Sequence, residues 1–351
     1  MVSFSASKIW DLVLIVSISL LILISTFVLH SVEPSIFPSY FVYIGMAVFF
    51  FLFFIRIDFD IYLAFSTHLY FLTLIFLVIT LLIGQVTRGA VRWIPLGVVT
   101  IQPSEVMRAF LLLFFAKYLT EKEVNLSRLI KLFVSFLIPF GLILVQPSLG
   151  VAILTAVGFF GILLASSLEK KYFLVGLFIF VAILPLVWFI LAPYQRERLS
   201  SFVDPESDPL GSGYNSIQSM ISVGSGRFIG RGLGEGVQTQ LEFLPEKHTD
   251  FIFAAISEEL GFLGAGLIIT GLFIVFWILI QIVANAKNPT ARAYVTGVFL
   301  ILFTQSLIHI GMNMGLLPIT GVPLPFVSSG GSSLLGTVVA VVISLKAKAE
   351  S

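Results

Sequence analysis

The sequence predicts an all-α polytopic integral membrane protein of about ten transmembrane helices, with a large extracytoplasmic loop between the seventh and eighth. Three observations predict it. Hydrophobic residues fill 58% of the 351 positions and charged residues only 11%, where a soluble domain carries about 25% charge. Apolar runs of membrane-crossing length recur from end to end. One stretch, 193–250, breaks the pattern with a density of carboxylates, guanidinium groups and glycines that no lipid-facing helix could hold. The chain therefore reads as one membrane domain, 1–351, with that loop inside it.

A helix rises about 1.5 Å per residue, so about 20 residues cross the hydrocarbon. The expected spans are 11–30, 38–56, 61–84, 102–119, 129–145, 149–166, 170–192, 252–284, 291–314 and 330–346. The first run, Leu12–Leu29, lacks an Ala-x-Ala-like cleavage site and is expected to be a retained span. The fifth and sixth are separated only by Gln146-Pro147-Ser148, as either a tight hairpin or one broken helix. The eighth is long enough to tilt or project. With the N-terminus inside, the cytoplasmic ends collect Lys8, Arg56, Lys117, Lys122, Arg128, Lys131, Lys170, Lys171, Lys287, Arg292, Lys346 and Lys348. The outer short segments carry little beyond Arg88 and Arg92. By the positive-inside rule both termini are cytoplasmic and 193–250 is outside.

Composition excludes several chemistries. There is no cysteine, so disulfides and thiolate catalysis are absent. The four histidines form no HExxH or close metal-binding pair. A formal charge of +1 gives no sign of a nucleic-acid partner. Sidedness adds a constraint: nucleotide-activated donors are held in the cytoplasm, so an enzyme working outside needs substrates already energised and delivered. Lipid-linked diphosphate sugars fit that need.

Charges at membrane depth are costly, and usually paired or functional. Glu105 and Arg108 in QPSEVMR stand three residues apart, on one helical face. They read as an ion pair joining two helices, or as a site where Arg108 meets an anionic substrate group. Pro103 suits the first helical turn. Arg88, Arg92 and Trp93 form an interfacial cluster; Trp93 suits an aromatic belt, and Arg92 could clamp a phosphate. The run GSGRFIGRGLGEG at 224–236 has no GK[ST] ending and is not a Walker loop. Its glycines with Arg227 and Arg231 suit either a flexible loop or a diphosphate nest. Tyr214, Ile217, Met220, Ile221 and Ile229 are expected in short helices on the membrane surface.

Asp250 closes the loop where the next apolar run begins. It suits an ordinary N-cap. Its company, Glu246, Lys247, His248, Glu258 and Glu259, also suits a general base in a dry cleft. The rivals Asp204, Glu206 and Asp208 are proline-flanked and read as a turn. Between the last two spans, Ser328, Ser329, Ser332 and Ser333 could line a cavity or cap the tenth helix.

Taken in order, RGAVRWIPLG (88–97), QPSE (102–105), DPLGSGY (208–214), IQSMISVGSG (217–226), FLPEKHTDFIFAAISEELG (243–261) and PLPFVSSGG (323–331) resemble the SEDS family of peptidoglycan glycosyltransferases (shape, elongation, division and sporulation) over nearly the whole chain. The loop and ITGVPLPF look more like its rod-shape branch than its division branch. The resemblance implies ten helices in the bacterial inner membrane and an essential aspartate at HTDF, here Asp250. It implies polymerisation of lipid II with release of undecaprenyl diphosphate. The implied partners are a class B penicillin-binding protein and other elongation-complex membrane proteins. Three departures stand out: Arg108 occupies the usual lysine position of QPSExxK, Ser148 the usual aspartate of QPDLG, and Ser329 the usual tyrosine of SYGG. The expected site is then Asp250 as base, with Arg92, Glu105, Arg108, Arg231, Lys247, His248 and Ser328 around the substrates. A divalent cation, Mg or Mn, could assist at the diphosphate, though no ligand set identifies one. The rival readings are a lipid-linked oligosaccharide flippase, which should place its polar groups at mid-membrane, and a non-catalytic cell-wall scaffold.

Overall fold

The computed structural model describes residues 6–87, 90–123, 125–166, 193–205, 208–211 and 213–348, with scattered positions from 171 to 189. The expected span 170–192 lies largely outside them, as do Arg88 and Glu206. The helices are α1 (Ala6–Val32), α2 (Phe37–Phe54), α3 (Phe59–Ile83), α4 (Pro103–Val106), α5 (Arg108–Thr120), α6 (Leu126–Val145), α7 (Leu149–Ala165), α8 (Pro193–Val203), α9 (Tyr214–Ser225), α10 (Val237–Gln240), α11 (Ile252–Asn285), α12 (Pro289–Asn313) and α13 (Gly331–Lys348). Among the described residues, seven helices are long and apolar enough to cross a membrane: α1, α2 with the short turn before it, α3, α6, α11, α12 and α13.

The chain divides into two compact units. Unit one is Met1–Pro38, Leu191–Ile278 and Gln305–Gly330; unit two is Ser39–Ile190, Leu279–Thr304 and Gly331–Ser351.

Unit two carries a small exception to the helical architecture. Segment 85–101 is a three-stranded antiparallel sheet, β1 (Gln85–Thr87), β2 (Ala90–Leu96) and β3 (Val99–Ile101). Leu96 pairs with Val99 across a two-residue turn. Gly97 takes φ 74° there, where a side chain would be strained.

The expected fourth span, 102–119, is broken. Pro103 begins a single turn, α4, and Met107 (φ −82°, ψ −9°) separates it from the thirteen residues of α5. Met107 stays in the right-handed helical region, and Pro103–Thr120 together rise about 27 Å against a hydrocarbon core of about 30 Å.

At Gln146-Pro147-Ser148 the chain makes a hairpin. Phe136 of α6 stacks on Phe159 of α7 with centroids 4.3 Å apart, and the two lie at similar distances either side of the turn. Gln146 donates through Nε2 to the Leu77 carbonyl at 2.9 Å, tying the turn to α3.

Ends assigned to one membrane side meet one another. Lys346 Nζ reaches Asp58 Oδ1 at 3.0 Å, and the hydroxyls of Thr120 and Thr290 are 2.6 Å apart. At the opposite ends, the Tyr43 hydroxyl contacts the Thr100 backbone, and the Gln102 N–H donates to Ser332 Oγ at 2.8 Å.

Helix α13 is buried along nearly all its length, and it touches α4 through a glycine. A Cβ on Gly336 would stand 2.4 Å from the Glu105 carbonyl oxygen. We expect Gly336→Ala to destabilise the protein in detergent by about 1–3 kcal/mol, as overpacking does. Gly45→Ala, whose Cβ meets nothing within 4 Å, should leave the melting temperature unchanged or raise it.

Candidate functional site

The turn Pro245–Phe251 enters α11. Glu246 sits at φ 54°, a conformation non-glycine residues hold only when their surroundings enforce it. Its carbonyl accepts from Thr249 N (3.1 Å) and Phe251 N (3.2 Å), and its Oε2 from Thr249 Oγ1 (2.8 Å). Leu244, Phe251 and Ala254 pack together beneath it. Asp250 is half-buried at the top.

Asp250 is not the N-cap residue of α11. That position belongs to Phe251, whose carbonyl receives Ala255 N at 3.0 Å. The cap comes from a different helix: Asn313, at the end of α12, accepts the Ala254 N–H through Oδ1 at 3.0 Å. The same side chain donates through Nδ2 to the Asp250 carbonyl at 3.0 Å and to the His309 carbonyl at 2.8 Å.

Three successive carbonyls of the turn are each held from far along the chain. Ser329 binds the His248 carbonyl with its N–H (3.1 Å) and its hydroxyl (2.7 Å). Ser328 donates to the Thr249 carbonyl at 2.9 Å. Asn313 takes Asp250. Ser328 is itself fixed, accepting Leu324 N at 2.8 Å, and Ser25 of α1 donates to the Val327 carbonyl. The Ser328 hydroxyl thus both donates and accepts within this unit. It is a strut under Asp250.

A polar face on α12 anchors the same loop. Gln305, His309 and Asn313 recur every four residues, all fully buried. Gln305 Nε2 donates to the Pro323 carbonyl and His309 Nδ1 to that of Val322, each at 2.8 Å. A carbonyl only accepts, which places the His309 proton on Nδ1.

Gly321 stands beside the carboxylate. It takes φ 68°, and a Cβ there would lie 3.6 Å from Asp250 Oδ2 and 3.6 Å from Arg198 Nη1. Three separate segments thus meet at one exposed glycine: α8, the 245–251 turn and the 315–330 loop. Arg198 was not singled out by sequence, because it is one of several charges in the run QRER.

Lys247 does not face this space. It is buried, and its Nζ donates to the Thr239 carbonyl at 2.6 Å, bracing the loop. The glycine-rich run is not an open anion nest either. The N–H groups of Arg231 and Gly232 donate to the Glu258 and Glu259 carbonyls at 2.9 and 3.0 Å, and that of Gly234 to Glu259 Oε1 at 3.2 Å. Glu258 accepts Gln238 N and Thr239 N at 2.9 and 3.1 Å. The Arg231 side chain remains exposed, 3.3 Å from Ser225 Oγ and 4.0 Å from Glu258 Oε1. Asp208 anchors a tight turn as expected, its carbonyl accepting Gly211 N and Gly213 N.

In unit two, Glu105 and Arg108 flank the Met107 break, 6% and 5% exposed. The charges of Arg108 and Arg92 both act on the Glu105 carboxylate. Arg108 Nη1 and Arg92 Nε are buried with no hydrogen-bond partner, an arrangement suited to an anion. Gln102 braces the turn through Ser104 and Ser148, each 3.2 Å from its Nε2. Ser148 accepts in that network through its hydroxyl. Among the described residues no group of three or more His, Asp or Glu is placed to hold a metal.

If the Asn313 clamp places Asp250, its loss should act on turnover. We expect Asn313→Ala to lower kcat about a hundredfold with KM little changed, since misplacement near 1 Å costs about that much. An unaltered kcat in folded protein would refute the role.

The family profile described as "Cell cycle protein", covering FtsW, RodA and SpoVE, matches residues 2–351. The chain is 41% identical over 279 residues to "Peptidoglycan glycosyltransferase MrdB" of Escherichia coli (strain K12), across 78% of this chain and 75% of that one. It is 35% identical over 315 residues to "Stage V sporulation protein E" of Bacillus subtilis (strain 168), across 86% and 83%. A solved structure described as "Structural coordination of polymerization and crosslinking by a peptidoglycan synthase complex" contains a chain with TM-score 0.82 and 28% identity, covering 99% and 98%. The fold also matches the rod shape determining protein RodA of Thermus thermophilus at TM-score 0.72 and 23% identity, covering 96% and 95%. With the profile spanning almost every residue, the chain belongs to the SEDS family, alongside FtsW, RodA and SpoVE.

Proposed function

We propose that this protein polymerises lipid II into glycan strands at the outer leaflet, with Asp250 as general base. The observation that carries the reading is the fixed turn: a half-buried carboxylate whose own carbonyl and the two before it are clamped, beside an arginine and a bare glycine. Family membership and a glycosyltransferase relative at 41% identity support the chemistry.

In the proposed step, Asp250 takes the proton of the GlcNAc 4-hydroxyl of one lipid II. That oxygen bonds to the anomeric carbon of a lipid-linked strand, with inversion. The bond from that carbon to the diphosphate oxygen breaks, and undecaprenyl diphosphate leaves with the electron pair. Arg198 is the cation beside the base. Within unit two, taken by itself, Arg92 and Arg108 offer buried N–H groups of a kind suited to phosphate oxygens, near the Glu105 carboxylate. His248 belongs to the turn itself, and exposed Arg231 can meet the headgroup at the loop surface.

The topology that serves this reading is ten spans in the bacterial inner membrane with both termini cytoplasmic, which puts the 193–250 loop and Asp250 outside. The partner it implies is a class B penicillin-binding protein that crosslinks the new strands, within an elongation complex of other membrane proteins. The likeness to a chain from a polymerising and crosslinking synthase complex supports that pairing.

The test reconstitutes wild type and Asp250→Asn with lipid II, with and without the penicillin-binding partner, following glycan chains separately from lipid movement. Loss of a general base removes about 10²–10⁴ in rate, so polymerisation should fall by at least about a hundredfold. Polymerisation at the normal rate would sink the assignment. Lipid movement without any wild-type polymer would support a flippase instead.

A further inference from the structure

Helix α11 is two helices joined at Gly261, which takes φ 66° and ψ −161°. Ile252–Glu259, before the break, is buried without exception. After it the apolar face opens: Phe262, Leu263, Leu267, Ile269, Phe273 and Trp277 are all exposed. The 24 residues from Phe262 to Asn285 rise about 36 Å, enough for a hydrocarbon core of about 30 Å. The outer edge of the hydrocarbon therefore falls near Phe262, and Ile252–Leu260 stands above it inside the protein.

The tip of the glycine-rich run is fastened at that edge. Phe262 N donates to the Arg227 carbonyl at 2.9 Å and Leu263 N to the Phe228 carbonyl at 3.1 Å. The rings of Phe228 and Phe262 stack with centroids 5.9 Å apart. Gly230 and Gly261 pass so closely that a Cβ on either would stand 2.1–2.2 Å from backbone atoms of the other strand of the contact. Arg227 accepts φ 50° to make the turn. The result is a rigid projection with Phe228 61% and Ile229 74% exposed. Exposed arginines stand on either side, Arg227 and Arg231.

We propose that Arg227–Arg231 is an interfacial anchor seated in the outer leaflet. Phe228 and Ile229 enter the acyl boundary, and the two guanidinium groups bind phospholipid phosphates. The occupant is lipid because the apolar tip continues the lipid-facing surface of α11 and is ringed by charge complementary to phosphate. A protein partner would require that the same surface leave the bilayer. The anchor fixes the height of Ile252–Leu260 above the hydrocarbon, and with it the height of the Asp250 turn.

The chain has no cysteine, so one introduced cysteine carries a unique spin label. Ile229→Cys, Leu267→Cys and Glu242→Cys would be labelled in the full-length protein in nanodiscs of phosphatidylethanolamine and phosphatidylglycerol. Collision with oxygen, which partitions into lipid, would be compared with collision with a water-soluble nickel chelate. The label at 229 should favour oxygen, as at 267 on the lipid face and opposite to 242 on the loop. A label at 229 that favours nickel like 242 would overturn the anchor, and one shielded from both reagents would assign the tip to a protein contact instead. Phe228→Asp in the Ile229→Cys background should shift the label toward nickel; no shift would also count against it.

Discussion

The site depends on one constraint: the carbonyls of His248, Thr249 and Asp250 are each bound by a side chain at least 60 positions further along the chain. Each bond is worth only about 1 kcal/mol net. Their effect is geometric rather than energetic, because together they deny the turn any rotation about its own axis. Asn313 does most, since one amide both caps α11 and holds the residue two before it. An N-cap supplied from another helix couples the start of α11 to the end of α12, and so makes the Asp250 position a property of tertiary packing.

The loop above is organised by burial of charge. Glu258 and Glu259 are fully buried, which is costly unless the carboxylates are well bonded. Glu258 takes two backbone N–H groups, and Glu259 takes Gly234 N, Ser31 Oγ and Gln240 Nε2. Two acids in the wall of unit one thereby fold a glycine-rich segment around themselves. Lys247 does the converse, giving its ammonium to a loop carbonyl.

Hydropathy made most of the membrane helices legible, because span length and charge exclusion are local properties of the chain. The break at Gly261 was hidden because strongly apolar sequence resumes at once with Phe262 and Leu263. The break at Met107 was hidden because Arg108 resumes a helical pattern at once. The small sheet had a signal, the pair Gly97-Val98 between β-rich runs, which the helical reading of the whole chain obscured. Asp250 was legible as a candidate base, but the rival reading as a simple cap stayed open, since what takes the capping role is Asn313, distant in sequence. Arg198 was illegible for the same reason: its proximity to Asp250 exists only after the 315–330 loop has brought Gly321 between them.

If Asn313 works through Asp250, the two substitutions should not add, and a double-mutant cycle on lipid II polymerisation shows whether they do. Wild type, Asp250→Asn, Asn313→Ala and the double variant would be assayed in one lipid system after each is shown to be folded. The double variant should be no slower than Asp250→Asn alone, because a clamp has nothing to place once the carboxylate is gone. A double variant slower by the full factor of the Asn313→Ala change would contradict it, making Asn313 an independent contributor.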